Sequence, residues 1–171
     1  MNSTLIIYYS RKGENYWNGS IKNLNKGNTE IVAEMIADLT DGDLFEIDTV
    51  EPYDADYYRC IEQAKAELHQ NARPALREYP DSLDGYDTIF LGYPNWWGTM
   101  PMAMFTLLEH FDLSGKTIHP FCTNEGSGLG SSVSDIKALC EGAIVSGGLS
   151  IHGAQAAQSQ EEVRAWVSSL S

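Results

Sequence analysis

The sequence predicts an α/β fold: a doubly wound, five-stranded parallel sheet with helices on both faces. Three observations carry this. Thr4–Tyr9, Thr88–Tyr93 and Thr117–Cys122 are short apolar runs without alternation, as strands buried on both faces are. Amphipathic segments of helical period lie between such runs, so strands and helices alternate along the chain. No internal repeat is present. At 171 residues the chain is expected to form a single domain, 1–171, long enough to bury a core without disulfide staples.

The first strand, Thr4 to Tyr9, stops at Ser10-Arg11-Lys12-Gly13. Residues 14–26 are polar and show no clear period, and they read as an irregular insertion. A helix begins near Gly27-Asn28-Thr29, with Asn28 or Thr29 as its natural N-cap; Ile31, Val32, Met35, Ile36 and Leu39 fall on one face. Asp41-Gly42 ends it. Asp43 to Asp48 alternates, as a strand nearer the sheet edge does, and Glu51-Pro52 breaks it.

Tyr57, Ile61, Ala64 and Leu68 mark a second helix, stopped between Asn71 and Pro74; a turn-rich connection, Tyr79 to Tyr86, follows. After the strand Thr88–Tyr93 comes Pro94-Asn95-Trp96-Trp97-Gly98-Thr99-Met100-Pro101, with Pro101 in the first turn of a helix that runs to Phe111. The next strand, Thr117 to Cys122, has Pro120 as its weak point, because proline donates nothing to a ladder. Thr123 to Gly130 is glycine-rich, and Val133, Ile136 and Leu139 suggest the helix after it. A short strand at Ala143-Ile144-Val145 precedes Gly147-Gly148, and a last helix turns Val163, Trp166, Val167 and Leu170 inward.

The net charge of −13 and the pI near 4.5 argue against nucleic acid and anionic membranes, which need a basic footprint. An acidic surface keeps a protein soluble; it also steers basic partners. No run approaches the length of a membrane span. No basic segment with a cleavage site opens the chain, so a cytoplasmic location is expected, and the acceptor pattern Asn2-Ser3-Thr4 carries little weight. Cys60, Cys122 and Cys140 are odd in number and widely spaced, which suggests neither a zinc site nor a dithiol pair. His69, His110, His119 and His152 are scattered, and no catalytic acid, base, nucleophile or metal site is expected.

Right-handed crossovers put strand-to-helix loops at the carboxyl edge of the sheet, where ligands bind such folds. Three loops qualify. The first ends in Gly27-Asn28-Thr29 at a helix N-terminus, where free amides and the helix dipole favour a phosphate; Ser10, Thr29 and Asn28 add polar side chains. Ser, Thr and Asn also cap most helices, so plain capping remains an alternative. The second places Trp96 and Trp97 on a loop, where they either lid the core or wall a flat ligand. The third, with Gly126-Ser127-Gly128, lacks the last glycine of the dinucleotide fingerprint but offers close backbone approach and amide donors, or is simply a flexible turn. Together they describe a phosphate cradle, an aromatic wall and a hydrogen-bonding edge, which a phosphorylated planar cofactor fits.

Two stretches, Gly92-Tyr93-Pro94-Asn95-Trp96-Trp97-Gly98-Thr99-Met100-Pro101 and Phe121-Cys122-Thr123-Asn124-Glu125-Gly126-Ser127-Gly128, resemble the flavin-ring loops of a Trp-Trp-Gly subgroup of the flavodoxin family. The resemblance runs from about residue 4 to the C-terminus. It implies strand order 2-1-3-4-5, non-covalent FMN and electron transfer to and from redox partners, here with basic docking surfaces. It further implies phosphate contacts from Ser10, Arg11, Lys12, Asn28 and Thr29. Trp96 or Trp97 would cover the ring, and Pro94, Asn95, Gly98 and residues Thr123, Asn124, Glu125, Gly126, Ser127 and Gly128 would line its polar edge. Gly98 would be the hinge of a peptide beside the flavin N5.

The family's phosphate loop is usually one short run; here 14–26 separates its two ends, which are expected to meet at the phosphate. Tyr16 and Trp17 are expected to anchor this insertion rather than cover the ring. Glu125 replaces a residue that is often neutral in the subgroup. An enzyme is the alternative, an FMN-dependent NAD(P)H quinone or nitroaromatic reductase; a non-redox module using the same cleft is a further rival.

Overall fold

The computed structural model describes residues 3–170; Met1, Asn2 and Ser171, and with them the Asn2 acceptor pattern, lie outside the described residues. The central sheet is parallel. β1 (Thr4–Tyr8) is flanked by β4 (Asp43–Glu46) and β5 (Thr88–Pro94), and β5 in turn pairs with β6 (Thr117–Asn124). The next position is divided. β7 (Ile144–Val145) pairs with Thr117 and Ile118, and β8 (Leu149–His152) pairs with Phe121 to Asn124.

The order thus follows 2-1-3-4-5, but the sheet has six strands rather than five. The division has a local cause. His119 and Pro120 are the β6 residues that neither β7 nor β8 pairs. Proline has no N–H for the ladder, so pairing lapses there. On its other side Pro120 stays in register opposite Leu91.

Alternation along β1 sorts the core into two layers. Leu5, Ile7 and Tyr9 pack with Met104, Leu107 and Ile136, which belong to α3 (Met102–His110) and α4 (Ser132–Leu139). Ile6 and Tyr8 pack on the other side with Val32, Ile36 and Val163, from α1 (Asn28–Thr40) and α5 (Gln160–Ser169). Gly92 belongs to this design: a Cβ there would lie 2.2 Å from the Phe121 ring, which crosses over it from the neighbouring strand. α2 (Tyr57–His69) contacts α3, and a 3-10 helix (Gly153–Gln158) joins β8 to α5.

Residues 14–26 overturn one expectation. They are not irregular but hold most of an antiparallel hairpin, β2 (Gly13–Trp17) and β3 (Ser20–Leu24). Its two-residue turn is Asn18-Gly19, both with positive φ (50° and 89°), the backbone that matches the twist of the flanking strands. The Asn-Gly pair was the available signal; polar flanks, Glu14, Asn15, Lys22 and Asn23, hid the strands around it.

Candidate functional site

At α1 the N-cap is Gly27, not Asn28 or Thr29, and it makes no side-chain cap bond. The cap comes from far along the chain, since Ser10 Oγ accepts the Glu30 amide at 3.0 Å. A Cβ at Gly27 would lie 2.1 Å from Ser10 Oγ and 2.6 Å from the Arg11 carbonyl oxygen. Glycine is therefore required for the two ends of the turn to touch, and they do. The amides of Asn28 and Thr29 belong to the first helical turn, which holds no carbonyl to accept them. Thr29 Oγ1 is hydrogen-bonded at 2.7 Å to Thr123 Oγ1, tying this cradle to β6. Asn28 Oδ1 is buried with no partner among the described residues, beside the cleft that Asn28 lines.

The basic pair goes elsewhere. Arg11 donates to the carbonyls of Glu14, Asp54 and Ala55, so its guanidinium ties the hairpin to the loop before α2. Lys12 is exposed, on the side of Glu46, whose carboxyl burial holds above its ordinary value against the opposing pull of Lys12.

The tryptophan loop folds on itself as a tight turn. Trp96 N donates to Thr99 O at 2.9 Å, and Trp97 and Gly98 both have positive φ (59° and 91°). A bulky residue in that region is strained, which a surrounding network must hold. Here Asn95 supplies it. Its Oδ1 accepts the Gly98 amide at 2.9 Å, its Nδ2 donates to Gly128 O at 2.8 Å, and its own amide donates to Thr123 O. One side chain thus joins the second loop to the third. The Gly98 carbonyl is also taken, by the Ser131 amide at 2.7 Å, so both peptides at the expected hinge are held.

The two indoles differ. Trp96 is half-buried and meets Tyr9 and Tyr53 edge-on, with centroids 5.3 and 5.1 Å away. Trp97 is 45% exposed; its Nε1 donates to the Ile61 carbonyl, and Lys65 lies over its ring.

In the third loop, Asn124 Oδ1 accepts the amides of Gly126 and Gly128 and so shapes the turn. Glu125 is engaged on three sides. It accepts the Asn18 amide at 2.6 Å and the Ala154 amide at 3.3 Å, and lies 3.4 Å from His152 Nε2. Ser127 faces the cleft.

These parts enclose a cleft of about 180 Å³, bordered by Asn28, Pro94, Asn95, Trp96, Thr123, Asn124, Glu125 and Ser127 together with Asn15, Tyr16, Tyr57 and Gly153. It adjoins a recess of about 280 Å³ reached by Trp97, Gly98 and Ile61; Tyr57, Asn95, Trp96 and Ser127 border both. The structure therefore brings together most of the expected set, with Arg11 and Lys12 turned away. The four additional residues come from the hairpin, α2 and the start of the 3-10 helix after β8. A larger concavity, about 610 Å³, lies at the opposite end of the strands, around Asp43, Phe45, Tyr79 and Tyr86, and shares no residue with this site.

A family model described as flavodoxin matches residues 23–170. No curated protein matches the chain. Among solved structures, a protein from Bacteroides uniformis ATCC 8492 described as a flavoprotein is 29% identical, with a TM-score of 0.79 and 98% of each chain covered. One from Bacteroides eggerthii DSM 20697, likewise described, is 25% identical (TM-score 0.76; 99% of this chain and 98% of that one). A flavoprotein in complex with FMN from Lactobacillus acidophilus NCFM is 24% identical (TM-score 0.63; 92% and 98%) and shows the fold alone.

Proposed function

This chain belongs to the flavodoxin family, and on that premise we propose that it binds FMN without a covalent bond and carries electrons between redox partners. The observation that carries this reading is the junction of three distant loops. The Ser10–Gly27 contact, the Thr29–Thr123 bond and the Asn95 bonds to Gly98 and Gly128 bring a helix N-terminus, an indole and the glycine-rich third loop around one cleft. The donor set fits the group. The Asn28 and Thr29 amides and the α1 dipole suit a phosphate dianion. The orphan Asn28 Oδ1 suits a hydroxyl donor, which a ribityl chain supplies.

Bound FMN supplies the electron-transfer chemistry, and the protein binds, orients and tunes it. Trp96 would hold the ring by its indole, which Tyr9 and Tyr53 support edge-on. The hydrogen bonds of Gly98 fix the turn at the cleft, and Glu125 would set a carboxylate beside the bound flavin. The charge of −13 steers partners with basic docking surfaces. The protein works in the cytoplasm, a placement that three free, buried cysteines support. No helix of the described residues is long and apolar enough to cross a membrane.

The test is a titration of apoprotein with FMN, expected to give a yellow 1:1 complex with quenched flavin fluorescence. A cleft that leaves FMN free in solution refutes the reading. Carrier and reductase separate in one further assay, NAD(P)H consumption with a quinone by the purified holoprotein alone. A carrier leaves NAD(P)H unconsumed until a reductase partner is added.

A further inference from the structure

A flat ring has two faces, and the second and third loops bring one indole, Trp96, to the main cleft. Trp96 lies on the second loop; the third, Thr123 to Gly130, holds no aromatic residue at all. Resting on the FMN reading above, we propose that the second aromatic wall is the Tyr16–Tyr57 pair, carried over the cleft by the β2–β3 hairpin. The two rings are stacked, 5.4 Å apart and 17° from parallel, and both border the same cleft as Trp96. Tyr57 borders the adjoining recess as well, next to Trp97. Trp17, the neighbouring aromatic, does not compete for the role: its ring lies under Lys22 Nζ, 4.1 Å from its centroid, and it does not border the cleft.

The hairpin is fixed on both sides of the cleft, as a wall has to be. On the α2 side, Arg11 holds the Asp54 and Ala55 carbonyls, and Glu14 Oε1 accepts the Tyr57 amide at 2.8 Å. That last bond places both tyrosines at once: Glu14 and Tyr16 share a face of β2, and the amide that Glu14 grips is that of Tyr57 itself. On the opposite side the tip is tied down, with the Asn18 amide on Glu125 Oε1 and Asn18 Oδ1 at 3.0 Å from His152 Nε2. A hairpin needing only an anchor has these ties already; Tyr16 takes no part in them and is a 37% exposed residue at the border of the cleft. Tyr16 is thus a cofactor-contacting residue that the family pattern does not assign.

The experiment compares wild type, Tyr16→Phe and Tyr16→Leu by FMN titration and by visible circular dichroism of the bound flavin. Stacking of a planar base on one aromatic ring sets the scale. Tyr16→Leu should weaken FMN about tenfold, brighten the residual flavin emission and change the visible dichroism, while Tyr16→Phe stays within twofold of wild type. Amide exchange across β2–β3 in the apoproteins reports whether the hairpin persists; should Tyr16→Leu melt it, Tyr57→Leu, outside the hairpin, is read in its place. Wild-type affinity and an unaltered spectrum in the leucine variant overturn the proposal and leave Tyr16 as an anchor. That outcome is distinct from wild type binding no FMN, which sinks the underlying reading and this proposal together.

Discussion

Replacing Gly27 with alanine isolates the phosphate cradle from the rest of the cleft. The backbone at Gly27 has φ −68° and ψ 155°, which alanine adopts freely, so the perturbation is steric. The new Cβ would stand 2.1 Å from Ser10 Oγ and 2.6 Å from the Arg11 carbonyl oxygen. To restore ordinary contact, the turn at 10–11 or the start of α1 has to move by about 1 Å, a displacement large enough to spoil a bound geometry. Two losses follow. The Ser10–Glu30 cap, 3.0 Å long, weakens, at about 1 kcal/mol of stability. A phosphate oxygen then loses good geometry with one of the first-turn amides; a hydrogen bond to a charged group is worth about 2 kcal/mol, or roughly 30-fold in affinity. Riboflavin, which lacks the phosphate, is the internal control. Fluorescence titration of Gly27→Ala should show FMN weakened by about 30-fold and riboflavin by less than about threefold. Equal losses for both ligands, or none for FMN, refute the assignment of the phosphate to this turn.

The remaining predictions are shorter. Trp96→Ala should cost about 2–4 kcal/mol of apoprotein stability, because it empties the slot against Tyr9 and Tyr53, whereas Trp97→Ala, at an exposed position, should cost less than about 1 kcal/mol; urea unfolding of the two apoproteins tests the contrast. Glu125→Gln should raise the flavin midpoint potential, because it removes a negative charge from the cleft wall, and an unchanged potential counts against a role for that carboxylate. His119 is buried against Phe90 and Trp166, and burial lowers its pKa from 6.5. Its contribution to stability is therefore present above pH 6.5 and is lost as pH falls through the folded value. Glu46 and Glu67, raised by burial, act oppositely at lower pH, their contribution falling as pH rises through their folded values; melting temperatures from pH 7.5 to 5.5 are therefore compared with those of His119→Gln, in which the His119 component should vanish.

The elements buried on both faces were legible because burial leaves only apolar residues. Thr4–Tyr8, Thr88–Pro94 and Thr117–Asn124 could hardly be anything but central strands. The hairpin was not legible, since β2 and β3 bury little and carry almost no hydrophobic pattern; Asn18-Gly19 alone marked it. At the site, Asn28, Asn95, Trp96 and Ser127 border the cleft, where their loops implied. Arg11 and Lys12 did not, because charge says nothing of direction, and carbonyls at Asp54 and Ala55 compete for the guanidinium. Tyr57 and Gly153 had no local signal at all. They reach the cleft only through tertiary packing.

Gly153 shows how far such an effect travels. Pro120 sits in the strand beside β7 and β8 and removes one donor from the ladder. The fifth strand consequently breaks into two short pieces, with Gly147 and Gly148 between them, and the second piece restarts opposite Phe121. That restart puts His152 opposite Asn124, the residue that shapes the third loop. It also delivers Gly153 against Asn28: a Cβ on Gly153 would lie 2.7 Å from Asn28 Nδ2 and 3.2 Å from Glu125 Oε2. One missing N–H in the sheet interior thus sets where the hairpin tip finds its histidine. It also fixes how closely backbone can approach the asparagine whose buried oxygen has no partner among the described residues. A strand that ran unbroken past Pro120 would carry a different register to the cleft, so the break in β6 pairing is part of the site's construction rather than a flaw in the sheet.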